Sequence, residues 1–327
     1  MGASGAHGRG GPLSIPRGGG ERYLLGTKPL PVPADGLFVH LELAALGESA
    51  DGALLGRAIW RGLRVESAGS ALLGSYLRRC GLDPLRKARA VSLVQPIEGR
   101  PGSDRVMVLW GLLGARRLVA CLGDAVRADG GSAAVLLAGG EPAASLDRAA
   151  SDLHLDVLAL DGETLLAASG QSYRAAVRSL AGVQGKADSQ ATPLVSGPLY
   201  SRAVAAAPRG AALIALWPRF PRALPHLFMP REVSRSVQDG FMLVSLTPEG
   251  LALSVQLRVT GLGRAARWAK RLPDRTRRVL SFAPASERPF LTRARPTSIG
   301  DVLRLELPVT RAELPAFGRA AERWLPW

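Results

Sequence analysis

Leu251-Ala252-Leu253-Ser254-Val255-Gln256-Leu257-Arg258-Val259 is the stretch that decides the fold class. In an extended chain Leu251, Leu253, Val255, Leu257 and Val259 fall on one side, and Ala252, Ser254, Gln256 and Arg258 on the other. Asp301 to Val309 repeats the pattern, with Leu303, Leu305, Leu307 and Val309 opposite Val302, Arg304 and Glu306. Alternation this regular gives a strand one covered and one wetter face, the mark of an antiparallel sheet. A parallel, doubly wound sheet would read as continuous apolar strands instead. The expected class is α+β, two related two-layer units, each an antiparallel sheet covered by helices on one face.

The rest of the chain is read against these strands. Residues 1–35 are rich in Gly and Pro and are expected to form a flexible tail. A first unit, 36–182, opens on a strand in which Val39 and Leu41 oppose Phe38, His40 and Glu42. Helices are expected over 50–63, 68–80, 115–127 and 171–182, and strands over 89–97, 104–111 and 132–138. A hairpin over 154–168 turns at Asp161-Gly162. A polar link, 183–196, leads to a second unit, 197–327. There a helix at 198–207, a strand at 211–217 and a Pro-punctuated helical stretch to 237 precede strands 241–247 and 251–260. A helix from Arg264 that Pro273 breaks or kinks, strands near 279–294 and 301–309, and a helix at 311–324 complete it. Gly111-Leu112-Leu113-Gly114-Ala115-Arg116-Arg117 resembles Gly261-Leu262-Gly263-Arg264-Ala265-Ala266-Arg267 at an offset of 150 residues, which points to an internal duplication.

Charge is the most unusual property. Forty-two basic residues face 27 acids, a formal +15, and only four of the basic residues are lysines. Arginine richness is what a GC-rich genome produces whatever the function, and it is also what a polyanion partner selects. Residues 258–295 carry 11 basic residues, Arg258, Arg264, Arg267, Lys270, Arg271, Arg275, Arg277, Arg278, Arg288, Arg293 and Arg295, against Asp274 and Glu287. On the expected helix Ala265, Trp268, Ala269 and Leu272 form the apolar stripe, with Arg264, Arg267 and Arg271 assigned to the opposite side. Residues 124–163 invert the balance, with eight acids against Arg127 and Arg148. Three readings fit: the two surfaces neutralise each other within a chain or between copies, an external acidic partner binds, or both are solvated faces.

Chemical motifs are few. Gly261-Leu262-Gly263-Arg264-Ala265-Ala266 matches a dinucleotide fingerprint, but it follows the second strand of a hairpin and no acid ends the next strand. No cofactor is implied. Asp152, His154 and Asp156 share one face of an extended segment and could hold a divalent metal; the plainer reading is the wet face of a sheet. His40 and Glu42 form a second candidate, an acid–base pair. Cys80 and Cys121 read as small core residues, and whether they are free is open. No apolar run is long enough for a transmembrane helix, and no signal peptide is legible. The expected location is cytoplasmic as the chain is written, or periplasmic or envelope if the native start lies upstream.

Leu158-Ala159-Leu160-Asp161-Gly162-Glu163-Thr164-Leu165-Leu166-Ala167-Ala168-Ser169, followed by Arg174-Ala175-Ala176-Val177, and Gly81-Leu82-Asp83-Pro84 before a strand, resemble uncharacterised duplicated α+β proteins of GC-rich bacteria such as myxobacteria. That resemblance implies a non-enzymatic envelope role and carries no functional residues. The leading expectation is a binding or scaffold protein, self-associating or engaging an acidic macromolecule. The alternatives are a nucleic-acid-binding protein using 258–295, and a metal-dependent enzyme at Asp152, His154 and Asp156.

Overall fold

The computed structural model describes residues 36–47, 52–53, 55–56, 68–83, 87–96, 105–112, 114–138, 141–148, 153–160, 162–170, 174, 198–207, 211–217, 235–261, 263–281 and 283–324. The expected tail, the helix at 171–182 beyond Arg174, the link 183–196, the stretch 218–234 and most of the helix at 50–63 lie outside these residues.

The chain is α+β, and its described strands form a single antiparallel sheet of 12, not one sheet per half. The strands are β1 (Gly36–Leu41), β2 (Ala90–Pro96), β3 (Arg105–Trp110), β4 (Ser132–Ala138), β5 (Glu141–Arg148), β6 (Leu153–Ala159), β7 (Leu165–Ser169), β8 (Ala211–Trp217), β9 (Val237–Thr247), β10 (Gly250–Val259), β11 (Arg295–Ile299) and β12 (Val302–Thr310). Their order across the sheet is β11-β12-β10-β9-β8-β1-β2-β3-β7-β6-β5-β4. The halves join where β1 pairs with β8, Phe38 opposite Leu216 and Leu41 opposite Leu213.

The junction explains the departure from one covered face. Leu37, Phe38, Val39, His40 and Leu41 are all buried, as are Ala212 to Trp217. Central strands buried on both faces read as unbroken apolar runs, whereas β10 and β12 lie toward one end and keep the alternation. Leu37, Val39 and Leu41 face a core shared with helices α1 (Leu43–Gly47), α2 (Ala68–Arg79), α3 (Ala115–Ala128) and α7 (Leu314–Trp324). Phe38, Ile214, Leu216 and Phe241 face a second core covered by Leu199, Tyr200 and Ala203 of α4 (Pro198–Ala206). Each such buried Leu or Phe contributes about 1.5–3 kcal/mol.

Three local expectations are also corrected. Cys80 and Cys121 are not separate core thiols: they form a disulfide, Cα–Cα 5.8 Å, between the end of α2 and the middle of α3. Two cysteines 41 residues apart give no framework pattern, so only the packing of these helices reveals the bond. Pro273 does not end its helix, since α5 (Arg264–Leu280) runs through it. Interior Pro removes a backbone hydrogen bond at a cost of about 3 kcal/mol, and buried Ala265 and Leu272 hold the helix on the sheet despite it. Finally, 279–294 contains the end of α5 and α6 (Arg288–Leu291) rather than a strand, and β5 had no counterpart in the sequence reading.

Two positions give stability predictions. Gly250 begins β10 with φ 150, where an added Cβ would lie 2.2 Å from the Val309 carbonyl oxygen. Gly250→Ala should cost about 2–3 kcal/mol. Gly300, with φ 60 and nothing near its absent Cβ, should cost about 1 kcal/mol on the same change. Urea midpoints of the two variants check the order.

At the start of α7 the Glu313 carboxylate accepts from the Thr310 backbone N–H at 2.9 Å and hydroxyl at 2.8 Å, and pairs with Arg293. Burial pushes this carboxyl up, but the Arg293 and Thr310 donors outweigh it and hold it below the usual glutamate range. A lowered folded-state value means stability that is present above the unfolded value and lost as pH falls through the folded one. Glu313→Ala should therefore cost about 1 kcal/mol at neutral pH. The difference from wild type should shrink on acidification below the ordinary glutamate range; a gap unchanged in acid would contradict this account.

Candidate functional site

The exposed surface of α5 is the most distinctive charged feature of the described structure. Ala265 and Leu272 are buried against Leu257, Val259 and Leu303 of the sheet, with Trp268 and Ala269 packed partly alongside. The helix turns by 100° per residue, so Arg264, Arg267, Trp268 and Arg271, spaced i, i+3, i+4 and i+7, share one flank. All three arginines are exposed, and with Trp268 they line a concavity of about 210 Å³. The arginines therefore lie beside Trp268 rather than opposite it. The signal that could have found this was the i+4 step from Arg264 to Trp268.

The other expected cations divide. Lys270 is exposed on α5, and Arg277 stands 3.7 Å from Asp274, one turn away on the solvent side. Arg275 and Arg278 belong to α5, with side chains outside the described residues. Arg258 is in a different place. Its neighbours Leu257 and Val259 pack toward α5, so Arg258 lies on the opposite sheet face. There it pairs with buried Asp239, which also pairs with Arg202 of α4. Among the described residues, Arg264, Arg267, Lys270 and Arg271 have no ion-pair partner.

The acidic stretch is arranged differently, because Asp124, Asp129, Asp147 and Asp156 find cations locally. Asp124 pairs with Arg127 at 2.6 Å, and Asp129 with Arg79 at 2.7 Å and Arg148 at 3.9 Å. The Arg79 hydrogen bond holds the Asp129 carboxyl below the usual range. Asp147 stands 2.8 Å from His154 Nδ1 and 3.3 Å from Arg174, which also reaches Asp156 at 3.2 Å and Ser145 at 2.9 Å.

That last cluster bears on the metal expectation. Asp152 lies outside the described residues. His154 and Asp156 do share a face, opposite Asp147 and Ser145 of β5, but a guanidinium occupies the space among the carboxylates. Among the described residues no group of three His, Cys, Asp or Glu could hold a metal ion.

His40 and Glu42 come together, with His40 Nε2 3.8 Å from Glu42 Oε2. Both are buried. His40 Nδ1 and Ser92 Oγ lie 2.9 Å apart, and the Trp110 indole N–H donates to the same hydroxyl at 3.0 Å. The glycines of the dinucleotide-like stretch serve a turn: Gly261 and Gly263 adopt φ 98 and 67, as Gly111 and Gly114 adopt 68 and 86 at the other strand-to-helix junction. Among the described residues no helix is long and apolar enough to cross a membrane.

Comparison with protein-family models and with curated proteins finds no match. Among solved structures the chain is similar to crystal form I of TP0453, with a TM-score of 0.48 and 12% identity over 90% of this chain and 97% of that one. Crystal form III of TP0453 gives a TM-score of 0.48 and 10% identity over 89% and 98% of the two chains.

Proposed function

We propose that the protein is a non-catalytic binding protein that engages an acidic macromolecule through the exposed flank of α5. One observation carries this: among the described residues Arg264, Arg267, Lys270 and Arg271 have no ion-pair partner, while Asp124, Asp129, Asp147 and Asp156 pair with cations nearby. Unmatched guanidiniums around a half-buried ring supply charge, forked donors and a stacking surface. Arginine stays protonated, so the site offers binding rather than proton transfer.

The sheet also argues against neutralisation within one chain. α5 packs near β11 and β12 and the acidic cluster lies on β5 and β6, roughly 40 Å apart at about 4.8 Å per strand. These acids are therefore not the partner of α5, and the reading assigns that role to another molecule. A nucleic acid is the second reading, favoured by Trp268 within the arginine flank.

The halves are related units: each runs three neighbouring strands into a helix, and its last strand, β7 or β12, returns to pair with the third, β3 or β10. The Cys80–Cys121 disulfide supports an oxidising compartment, consistent with the envelope role the resemblance implies.

The test is equilibrium titration of the protein with labelled single-stranded DNA, duplex DNA and polyglutamate at low salt. Binding to at least one, at about micromolar affinity, is expected. Failure to bind all three would overturn the reading.

A further inference from the structure

We infer that the concavity on α5 holds one nucleotide unit, its phosphate among Arg264, Arg267 and Arg271 and its base against Trp268. This rests on the binding reading above and names the part of the acidic partner that the helix grips.

The turn before α5 is shaped around the first arginine. Gly261 has φ 98, and a Cβ added there would lie 3.2 Å from Arg264 Nε and 3.4 Å from its Cδ. The Arg264 side chain therefore lies back along the turn, close to where any other residue would carry its Cβ. Gly263, with φ 67, leaves Arg267 freer, since its added Cβ would stand 3.8 Å from that guanidinium. Gly261 thus seats an arginine as well as making a turn.

The patch is also short. Arg264 to Arg271 rises about 10.5 Å along the helix. Asp274, one turn further on and 3.7 Å from Arg277, ends the run of cations. Clefts that enclose a whole small ligand measure roughly 300–1,000 Å³. This concavity, about 210 Å³, seats one unit of a larger ligand and leaves the rest in solvent.

Among the described residues its lining is three guanidiniums and one indole, with no carboxylate. A phosphate presents its oxygens to several guanidinium forks at once. A glutamate or aspartate carboxylate offers two oxygens, enough for one fork, and brings nothing flat to the ring. Trp268 packs partly against the sheet, and its place in the lining gives the site an aromatic surface. A base stacks on such a surface, with the arginine planes adding to the contact. Phosphate and flat base side by side are what one nucleotide unit carries.

The test is titration of the full chain with a nucleoside monophosphate, the matching nucleoside, inorganic phosphate and polyglutamate, each repeated in competition with a labelled oligonucleotide. The monophosphate should bind at least about tenfold more tightly than the nucleoside or inorganic phosphate, since the charged hydrogen bonds and the stacking each contribute on that scale. It should also displace the oligonucleotide. Strands of increasing length, from one nucleotide upward, separate the sources. Affinity already full at one nucleotide identifies the free nucleotide, and affinity that keeps rising identifies one unit of a strand.

Two variants test how the site is built without touching Trp268, whose loss also disturbs the core. Gly261→Ala and Gly263→Ala both put alanine at positive φ, and melting curves should show similar losses of stability. Gly261→Ala alone crowds Arg264, so it should weaken monophosphate binding about threefold and Gly263→Ala should not. Equal affinities in the two variants would overturn the seating of Arg264. Inorganic phosphate binding as tightly as the monophosphate would overturn the base contact, and an oligonucleotide that saturating monophosphate fails to displace would overturn the one-unit site. Polyglutamate binding where nucleotides do not would overturn the nucleotide and leave the broader binding reading standing. Binding of none of these ligands would remove that reading itself.

Discussion

Replacing both bridging cysteines, Cys80→Ser/Cys121→Ser, should lower the stability of the first half by about 4 kcal/mol, the loop entropy released when a closure of 41 residues is lost from the unfolded chain. The bond ties the end of α2 to α3, beside the core contacts of Tyr76, Leu77 and Leu82. Tyr76 and Leu77 bury α2 against the core. Arg79 reaches Asp129 across the surface, a solvent-screened pair that adds little. α3 is anchored independently through Leu118, Val119, Leu122 and Val126. The loss should therefore appear first as loosening of α2 rather than collapse of the sheet. Urea unfolding of the oxidised protein beside the double variant measures it, and hydrogen exchange locates it. A difference below about 1 kcal/mol would mean that the helices pack equally well unlinked.

The second large effect concerns binding. Arg264→Ala/Arg267→Ala/Arg271→Ala removes three cations with no ion-pair partner among the described residues. No structural ion pair is broken, and Ala is at least as good a helix former as Arg. Stability should be unchanged within about 0.5 kcal/mol. Affinity for a single-stranded polyanion should fall by about 100-fold at 0.1 M salt, because three counterion-releasing contacts are lost. Arg258→Ala should behave in the opposite way. It uncovers one side of buried Asp239, where Arg202 remains, so it should reduce stability and leave affinity nearly unchanged. Stability and binding are thus separable within one short segment.

That separation shows how far the residues alone could be read. Regular alternation made β10 and β12 legible, with boundaries close to those observed. The basic character of α5 was equally plain. What did not follow from the residues were the consequences of pairing. β1 and β8 are apolar on both sides because they meet at the centre of one sheet, and no local pattern announces that partner. β5, Glu141–Arg148, has Pro142, two alanines and Asp147, a poor strand by propensity that forms because β4 and β6 flank it. The same unseen strand brings Asp147 to His154, and Arg174 then joins the carboxylates. Arg258 counts in the basic segment 258–295, yet the two-residue period of β10 already sets it opposite Leu257 and Val259, on the face away from α5. Trp268 reads as part of the apolar stripe, although its helical angle places it at the border of core and arginines.

The claim that joins sequence, fold and function is that the unmatched arginines of α5 are the binding surface. Parallel titrations of wild type and Arg264→Ala/Arg267→Ala/Arg271→Ala with the same labelled oligonucleotide at 0.1 M salt, on samples with matching melting curves, test it. The account predicts an affinity loss of about 100-fold; equal affinities would contradict it and place binding elsewhere on the molecule.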